Sequence, residues 1–195
     1  MINNKKQSIK EIVDYYLKEN PVDAHIKSTN AVMLNKEDKL NREYYNKALK
    51  NGSYIDKFQI FDIYQCKNGE KITDYFLDPE KEFVAAFVTY KNIRNGSTMV
   101  EDTIYKCDKY PSLYMTDIYL QHYMKKYNYI ESSDCFFDDG RKYWEKYLIP
   151  TALNSGFKAR LIDTSSKRFY PITKDTFEKL KQQSKGSNML YGLYK

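Results

Sequence analysis

The stretch from Glu82 to Tyr90, EFVAAFVTY, constrains the fold more than any other part of this chain. Nearly all of its residues are apolar, and the β-branched and aromatic residues that favour strands are frequent in it. The side chains of a strand alternate between two faces, so apolar residues at successive positions are buried on both faces. We therefore expect a central strand of a sheet, and we expect other secondary-structure elements to cover both faces of that sheet.

The segments before and after this strand begin and end at turn residues, as the strands of antiparallel hairpins do. Asn68-Gly69 is a strong hairpin signal, and it separates two expected strands, Phe58–Gln65 and Lys71–Leu77. Asn95-Gly96 leads from the central strand into a further expected strand, Thr98–Lys106. Alternation predicts that four side chains of this strand face the same way: Met99, Glu101, Thr103 and Tyr105.

Apolar residues three or four positions apart predict helices before and after these strands. The expected helices run from the Ser8–Glu11 capping box to Asn20-Pro21, from about Lys36 to Lys50, over Ser112–Lys126, from Asp138 or Asp139 to Ser155, and over Thr173–Lys185. Three short strands are expected between and after these helices, and the last of them ends the sequence: Tyr129–Ser133, Phe157–Asp163 and Asn188–Lys195. The sequence thus predicts a single α+β domain over 1–195, with a helical part at 1–52 and a sheet-containing core at 53–195.

Cysteine, histidine and apolar residues limit the kind of site and the location. Cys66, Cys107 and Cys135 are odd in number and form no Cys-x-x-Cys pair, which predicts reduced thiols and a cytoplasmic protein. His25 and His122 are too few and too far apart for a histidine-based site, so no metal is expected. No segment approaches the roughly 18 apolar residues of a membrane span, and no membrane association is expected.

The charge is distributed unevenly along the chain. From Gly140 to Lys195 there are 12 Lys and Arg against 4 Asp and Glu, whereas residues 1–139 hold 20 against 22. The basic third suits either a solvated surface or a face that binds nucleic acid or a phosphorylated cofactor. The 20 tyrosines and 10 phenylalanines could stack on bases, but most occupy the apolar stripes of predicted elements, so nucleic acid is not the expected partner.

The order of these elements resembles the GNAT N-acetyltransferase fold, and a closer resemblance, to phage-encoded GNAT-like proteins, covers Tyr129 to Asp163. The residues that carry it are Ile130-Glu-Ser-Ser-Asp134, Asp139-Gly140, Trp144, Leu148, Ala152, Gly156-Phe157 and Leu161-Ile-Asp163. The hairpin and the EFVAAFVTY strand also lie where that group has them, so the likeness extends over about two thirds of the chain. A phage protein would act in the cytoplasm of its host.

The resemblance implies a mixed, mostly antiparallel sheet that is splayed between its fourth and fifth strands, with helices on both faces. The pantetheine arm of acetyl-CoA would enter the gap, and an amine or a protein would accept the acetyl group. The implied catalytic candidates are Glu101 as the base, Asp134 as a second polar group, and Tyr191 as the acid, with Tyr194 and Tyr147 as alternatives. Lys106, Lys109 and Ser112 would hold the phosphates of the cofactor.

Two other functions stay open. The stretch Lys106–Ser112 has no glycine, unlike the Gln/Arg-x-x-Gly-x-Gly/Ala turn that binds pyrophosphate in GNAT enzymes, and Ala152 stands where many of them have a tyrosine acid. A catalytically inactive GNAT-like protein that binds a host or virion protein would account for both differences. The third hypothesis, a basic nucleic-acid-binding protein, depends on the charge distribution and the tyrosines.

Overall fold

The computed structural model describes residues 38–93, 96–110, 113–132, 138–183 and 188–195. These residues form an α+β structure around one open sheet of nine strands, in the order β1-β2-β3-β4-β5-β6-β9-β7-β8. The strands are β1 Ser53–Phe58, β2 Phe61–Asn68, β3 Lys71–Asp78, β4 Phe83–Ile93, β5 Thr98–Lys106, β6 Tyr129–Glu131, β7 Lys158–Asp163, β8 Arg168–Ile172 and β9 Met189–Tyr194.

Four helices accompany the sheet in the described part of the chain. Helix α1 is Asp38–Asn51 and α4 is Phe177–Gln183. Helix α2 runs from Met115–Asp117 through a π-helical segment, Ile118–Tyr123, to Met124–Lys126, and α3 likewise joins Asp138–Tyr143, π-helical Trp144–Leu148 and Ile149–Asn154. The expected helix that begins at Ser8 lies outside the described residues.

Strand β4 is the central strand that the EFVAAFVTY run predicts. It pairs with β3 on one side and β5 on the other, and every residue from 83 to 90 is buried. The predicted hairpin is also confirmed, since β2 and β3 pair from Asn68 and Lys71 outward. Gly69 takes the left-handed backbone conformation at their turn, with φ +57°, which glycine adopts without steric cost.

Helices cover both faces of this half of the sheet. Tyr44 of α1 contacts the ring of Tyr75, whereas Phe76, which points to the opposite face, contacts His122 of α2. The Oη of Tyr123 on α2 donates a hydrogen bond to Asp74, whose side chain shares the face of Phe76. Both layers exclude water from β3 and β4, as their apolar composition requires.

Strand β5 departs from the alternation expected of it. A β-bulge shifts the β4–β5 register, so that Thr89 pairs with Thr103 and Tyr90 with Glu101. The extra residue, Asp102, places the side chains of Met99 and Glu101 on one face and those of Thr103 and Tyr105 on the other. The prediction that all four face one way is therefore wrong, because a bulge adds one residue to one strand only.

Two edge strands were not predicted. Strand β1 has five exposed residues in succession, so no apolar alternation marks it, and the turn to β2 uses Gln59 with φ 56° where glycine would be the usual signal. Strand β8 contains Pro171, which donates no backbone hydrogen bond and is tolerated in a strand only at an edge or bulge.

Helix α3 contains Pro150, which lacks the backbone N–H that would donate to Lys146, and the π-helical segment ends two residues before it. The backbone N–H of Ile149, directly before the proline, donates to the carbonyl of Trp144 five residues earlier. Gly156, with φ +85°, ends the helix as expected.

Candidate functional site

The site lies where the one parallel pair of strands in the described sheet stops pairing. Strand β5 pairs with β6 only from Thr98 to Val100, and Glu101 is the next residue of β5. Ser132, which follows β6, exchanges hydrogen bonds with Tyr191 of β9 instead, donating from its backbone N–H at 2.9 Å and accepting at its Oγ at 3.0 Å. Glu101 therefore directly follows the last residue of β5 that pairs with β6.

The side chain of Glu101 is buried and hydrogen-bonded to two helices. Its Oε2 accepts one bond from the Tyr119 Oη of α2 at 2.5 Å and one from the Trp144 Nε1 of α3 at 3.2 Å. Both donors belong to π-helical segments, which are frequently found at functional sites. Only 8 % of Glu101 is exposed, so two fixed donors replace much of the water that a carboxylate would otherwise bind.

Burial raises the pKa of Glu101 from the ordinary value of 4.5 to about 7, although the hydrogen bonds from Tyr119 and Trp144 act in the opposite direction. The neighbouring carboxyl group of Asp102 raises this pKa further. A group with a pKa close to 7 can take up and release a proton at neutral pH, which is the property required of a general base. Glu101 is thus equipped for proton transfer.

Glu101 also lines a cavity of about 390 Å³. The other lining residues are Lys91, Val100, Asp102, Glu131, Ser132, Thr164 and Leu190. Three of these residues are acidic and one is basic. Asp102 is paired with Lys71 at 3.1 Å and Lys91 with Glu70 at 3.8 Å, and Glu131 hydrogen-bonds with Tyr129. Such a lining suits a small cationic group, such as a protonated amine.

Asp74 is a second buried carboxylate, and hydrogen bonds within the protein occupy both of its oxygens. It accepts hydrogen bonds from the Oη atoms of Tyr90 and Tyr123 at Oδ2 and from the Nε2 of Gln65 at Oδ1, over 2.9–3.1 Å. Its side chain is fully buried. Three donors satisfy both oxygens, so Asp74 has a structural role, whereas Glu101 borders a cavity.

Tyr191, the predicted acid, lies close to this site without bonding to Glu101. Its ring stacks on Trp144, with 6.1 Å between centroids and 13° between planes. Its Oη donates a hydrogen bond to the Oε1 of Glu145 at 2.6 Å. Trp144 therefore contacts both predicted residues, through its N–H on Glu101 and through its ring on Tyr191.

The predicted phosphate-binding residues lie elsewhere. Lys106 ends β5 and pairs with Ala86, and the Lys109 Nζ lies 4.8 Å from the centre of the Phe83 ring. Lys109 lines a separate cavity of about 560 Å³, together with Arg42, Glu80, Lys81, Glu82, Phe83 and Tyr110. Ser112 and Asp134 lie outside the described residues, so their predicted roles stay predictions.

Sequence reasoning did not identify Tyr119, Trp144, Asp102 or Glu131 as parts of the site. Trp144 is one of the residues that carry the family resemblance, and it is fully buried, so its indole N–H needs an acceptor in the core. That requirement is the one signal in the sequence that could have indicated a buried carboxylate near it.

Neither a scan against protein-family models nor a search of curated proteins found a match for this chain. No helix within the described ranges is both long and apolar enough to cross a membrane. In the same residues, no group of three or more His, Cys, Asp and Glu side chains is arranged to hold a metal ion.

Proposed function

We propose that this protein transfers an acetyl group from acetyl-CoA to a primary amine, with Glu101 as the general base. The observation that carries the proposal is the position of Glu101, a buried carboxyl group with a pKa near 7 that directly follows the last residue of β5 paired with β6. General bases are most effective when their pKa lies near the working pH.

In the proposed reaction the ammonium group of the acceptor enters the acidic cavity and gives a proton to the Glu101 carboxylate. The neutral amine then attacks the thioester carbon, so that a C–N bond forms and the C–S bond breaks. The thiolate of CoA takes a proton from a tyrosine hydroxyl, for which Tyr191 is the candidate. The amide nitrogen loses its second proton to the tyrosinate, so that the acetyl amide, free CoA and a neutral tyrosine result, and Glu101 releases its proton to solvent.

The arrangement of the sheet supports acetyl-CoA as the donor. In GNAT proteins the cofactor enters between two parallel strands that diverge, and β5 and β6 are the parallel pair here, flanked by antiparallel neighbours. The expected fourth and fifth strands correspond to β5 and β6, because β1 was not counted among the expected strands. The bulge at Asp102 lies beside Glu101, and bulges near active sites often redirect a side chain.

One observation favours the alternative, a GNAT-like protein without activity that binds a protein partner. The turn after β5 is engaged within the chain: the Cys107 N–H donates to the carbonyl of Ala85 at 2.8 Å, and the Tyr110 Oη donates to Asp78 at 2.9 Å. With Lys109 against Phe83, this turn offers phosphates none of the glycines that let a backbone approach them closely.

Ligand-induced stabilisation separates the two functions. A ligand at a hundredfold excess over its Kd adds about 2.7 kcal/mol of stability, so acetyl-CoA and CoA should each raise the melting temperature if the cofactor binds. Glu101→Gln should keep this shift but transfer acetyl groups to cadaverine at least 100-fold more slowly, the usual minimum effect of losing a general base. Glu43→Gln is the control, because Glu43 is exposed on α1 and is not among the residues that line the cavity.

The absence of a shift with both ligands would overturn the acyltransferase proposal and favour the protein-binding alternative. A shift with equal transfer rates for wild type and Glu101→Gln would retain acetyl-CoA as the ligand and remove Glu101 as the base.

A further inference from the structure

The far half of the sheet carries an aromatic and basic face, here called the aromatic platform: Tyr129, Lys158, Arg160, Phe169 and Tyr194. Strand register places them together, because residues directly opposite each other in a sheet share a face. Tyr194 pairs with both Tyr129 and Lys158. Arg160 follows Lys158 by two residues on β7, and Ile162, two further on, pairs with Phe169 of β8.

The described helices pack on the other face of these strands. Their buried residues, such as Trp144 and Leu180, belong to one core cluster with the β7 and β9 residues Leu161 and Leu193. Tyr129, Ile162 and Leu190 form a second, separate cluster with Tyr194. Within the described part of the chain, the platform is therefore a sheet face without a helix on it.

Arg160 organises the platform. Its guanidinium carbon lies 4.4 Å from the ring centres of both Tyr129 and Phe169, and 5.6 Å from that of Tyr194. Its Nε donates a hydrogen bond to the Tyr129 Oη at 3.2 Å. The Lys158 Nζ lies 5.9 Å from the ring centre of Tyr194. Cation–π contacts thus hold two cations among three rings. Glu131 shares this face through its pairing with Gly192, and it hydrogen-bonds with Tyr129.

Gly192 makes this arrangement sterically feasible. A Cβ atom at position 192 would lie 2.1 Å from the Tyr129 Oη and 2.6 Å from two ring carbons. The Tyr129 ring therefore lies directly on the backbone of β9, where any side chain would displace it. The outermost ring is Phe169, which is 53 % exposed although large apolar side chains are mostly buried.

We infer that the aromatic platform binds single-stranded nucleic acid, independently of the proposed acetyl transfer. Bases stack on exposed aromatic rings, and cations beside those rings contact the phosphates. Phe169 and Tyr194 supply the rings, and Lys158 and Arg160 supply the cations. The basic character of residues 140–195 gives the surrounding surface the complementary sign. Charge and composition offered this partner only as a third hypothesis, because they do not show which residues share a face.

The exposed ring favours nucleic acid over an acidic protein segment. Carboxylates would need only the two cations, whereas Phe169 offers a flat apolar surface that a base can cover. Removing a stacking ring typically weakens binding by about 1–3 kcal/mol per base. The contribution of Phe169 is therefore the property that distinguishes the two partners.

The test is fluorescence anisotropy with a fluorescein-labelled twelve-nucleotide oligo-dT. Wild type should bind it, and Phe169→Ala should weaken binding about tenfold. Tyr147→Ala is the matched control, because Tyr147 is equally exposed (52 %) but lies on α3, and it should have no effect. Arg160→Lys keeps the charge but loses the planar group, and should weaken binding more than Arg168→Ala on the opposite face of β8.

Salt and competition provide the remaining outcomes. Two phosphate contacts on a single strand give a slope of about −1.4 in log K against log salt, or about a sevenfold loss between 50 and 200 mM. Failure to bind at 50 mM salt would overturn the inference. A second result would also overturn the inference: Phe169→Ala and Tyr147→Ala bind the oligonucleotide with equal affinity, and polyglutamate displaces it. The surface would then recognise acidic protein segments.

Discussion

Replacing Glu101 with glutamine should change how the stability of this protein depends on pH. Below pH 4.5 the carboxyl group carries its proton in the folded and the unfolded chain alike. Between pH 4.5 and about 7 the unfolded chain releases that proton while the folded protein retains it, because burial raises the pKa of Glu101. The folded state then binds more protons than the unfolded state, so stability falls as pH rises through this window.

The expected size of this effect follows from the two pKa values. Each pH unit between 4.5 and about 7 costs about 1.4 kcal/mol, so ionisation of Glu101 should lower the free energy of unfolding by about 3 kcal/mol at pH 8 relative to pH 4.5. Glutamine has no proton to lose and can still accept hydrogen bonds from Tyr119 and Trp144. The variant should therefore gain about 3 kcal/mol on wild type across this range.

Urea unfolding at several pH values between 4.5 and 8 measures this difference, with the fluorescence of the single tryptophan, Trp144, and circular dichroism as signals. Glu70→Gln serves as the control, because its side chain is 88 % exposed and its stability should follow that of wild type at every pH. If wild type and Glu101→Gln kept a constant difference from pH 4.5 to 8, the assignment of a raised pKa to Glu101 would be wrong.

Two further predictions concern the core and the platform. Asn41 is fully buried, and its side-chain amide accepts a hydrogen bond from the Val84 N–H at 2.6 Å and donates one to the Val84 carbonyl at 3.2 Å. Asn41→Ala should therefore lower the free energy of unfolding in urea by about 2–4 kcal/mol. An equal loss in Asn46→Ala, a variant at an exposed position of the same helix, would contradict this. Gly192→Ala should displace Tyr129 from the sheet and weaken oligo-dT binding about tenfold in the anisotropy assay, whereas unchanged affinity would show that the ring position does not matter.

Patterns carried by neighbouring residues predicted most of the fold. Strand β4, the β2–β3 hairpin and helix α1 depend on continuous apolar runs, an Asn-Gly turn and a 3.6-residue period, all of which lie in short stretches of sequence. The edge strands β1 and β8 lack these signals, because one side of an edge strand faces solvent and its composition is not constrained by a core.

The π-helical segments limited the prediction of side-chain directions. Tyr147 follows Trp144 by three residues, so a 3.6-residue period places both on one face of α3, yet Tyr147 is 52 % exposed. Hydrogen bonds from residue i to i+5 widen the turn, so the residues that follow rotate away from the face that a 3.6-residue period assigns to them. Trp144 and Leu148 stay fully buried in the same segment.

The candidate site was predictable only in part. The strand pattern and the family resemblance indicated Glu101, but its donors Tyr119 and Trp144 are 18 and 43 residues away in sequence. Contacts at such separations depend on how α2 and α3 cross the sheet, which no local pattern determines. The raised pKa likewise results from burial by these helices.

Titration of the Glu101 carboxyl carbon by carbon-13 NMR tests the central claim most directly. Protein labelled at glutamate Cδ would be recorded from pH 4 to 9, and the signal absent from Glu101→Gln would identify the residue. We predict a midpoint of about 7, and Tyr119→Phe, which removes the donor at 2.5 Å, should move it upward. A midpoint below pH 5 would mean that Glu101 is an ordinary carboxylate and would contradict its role as a base.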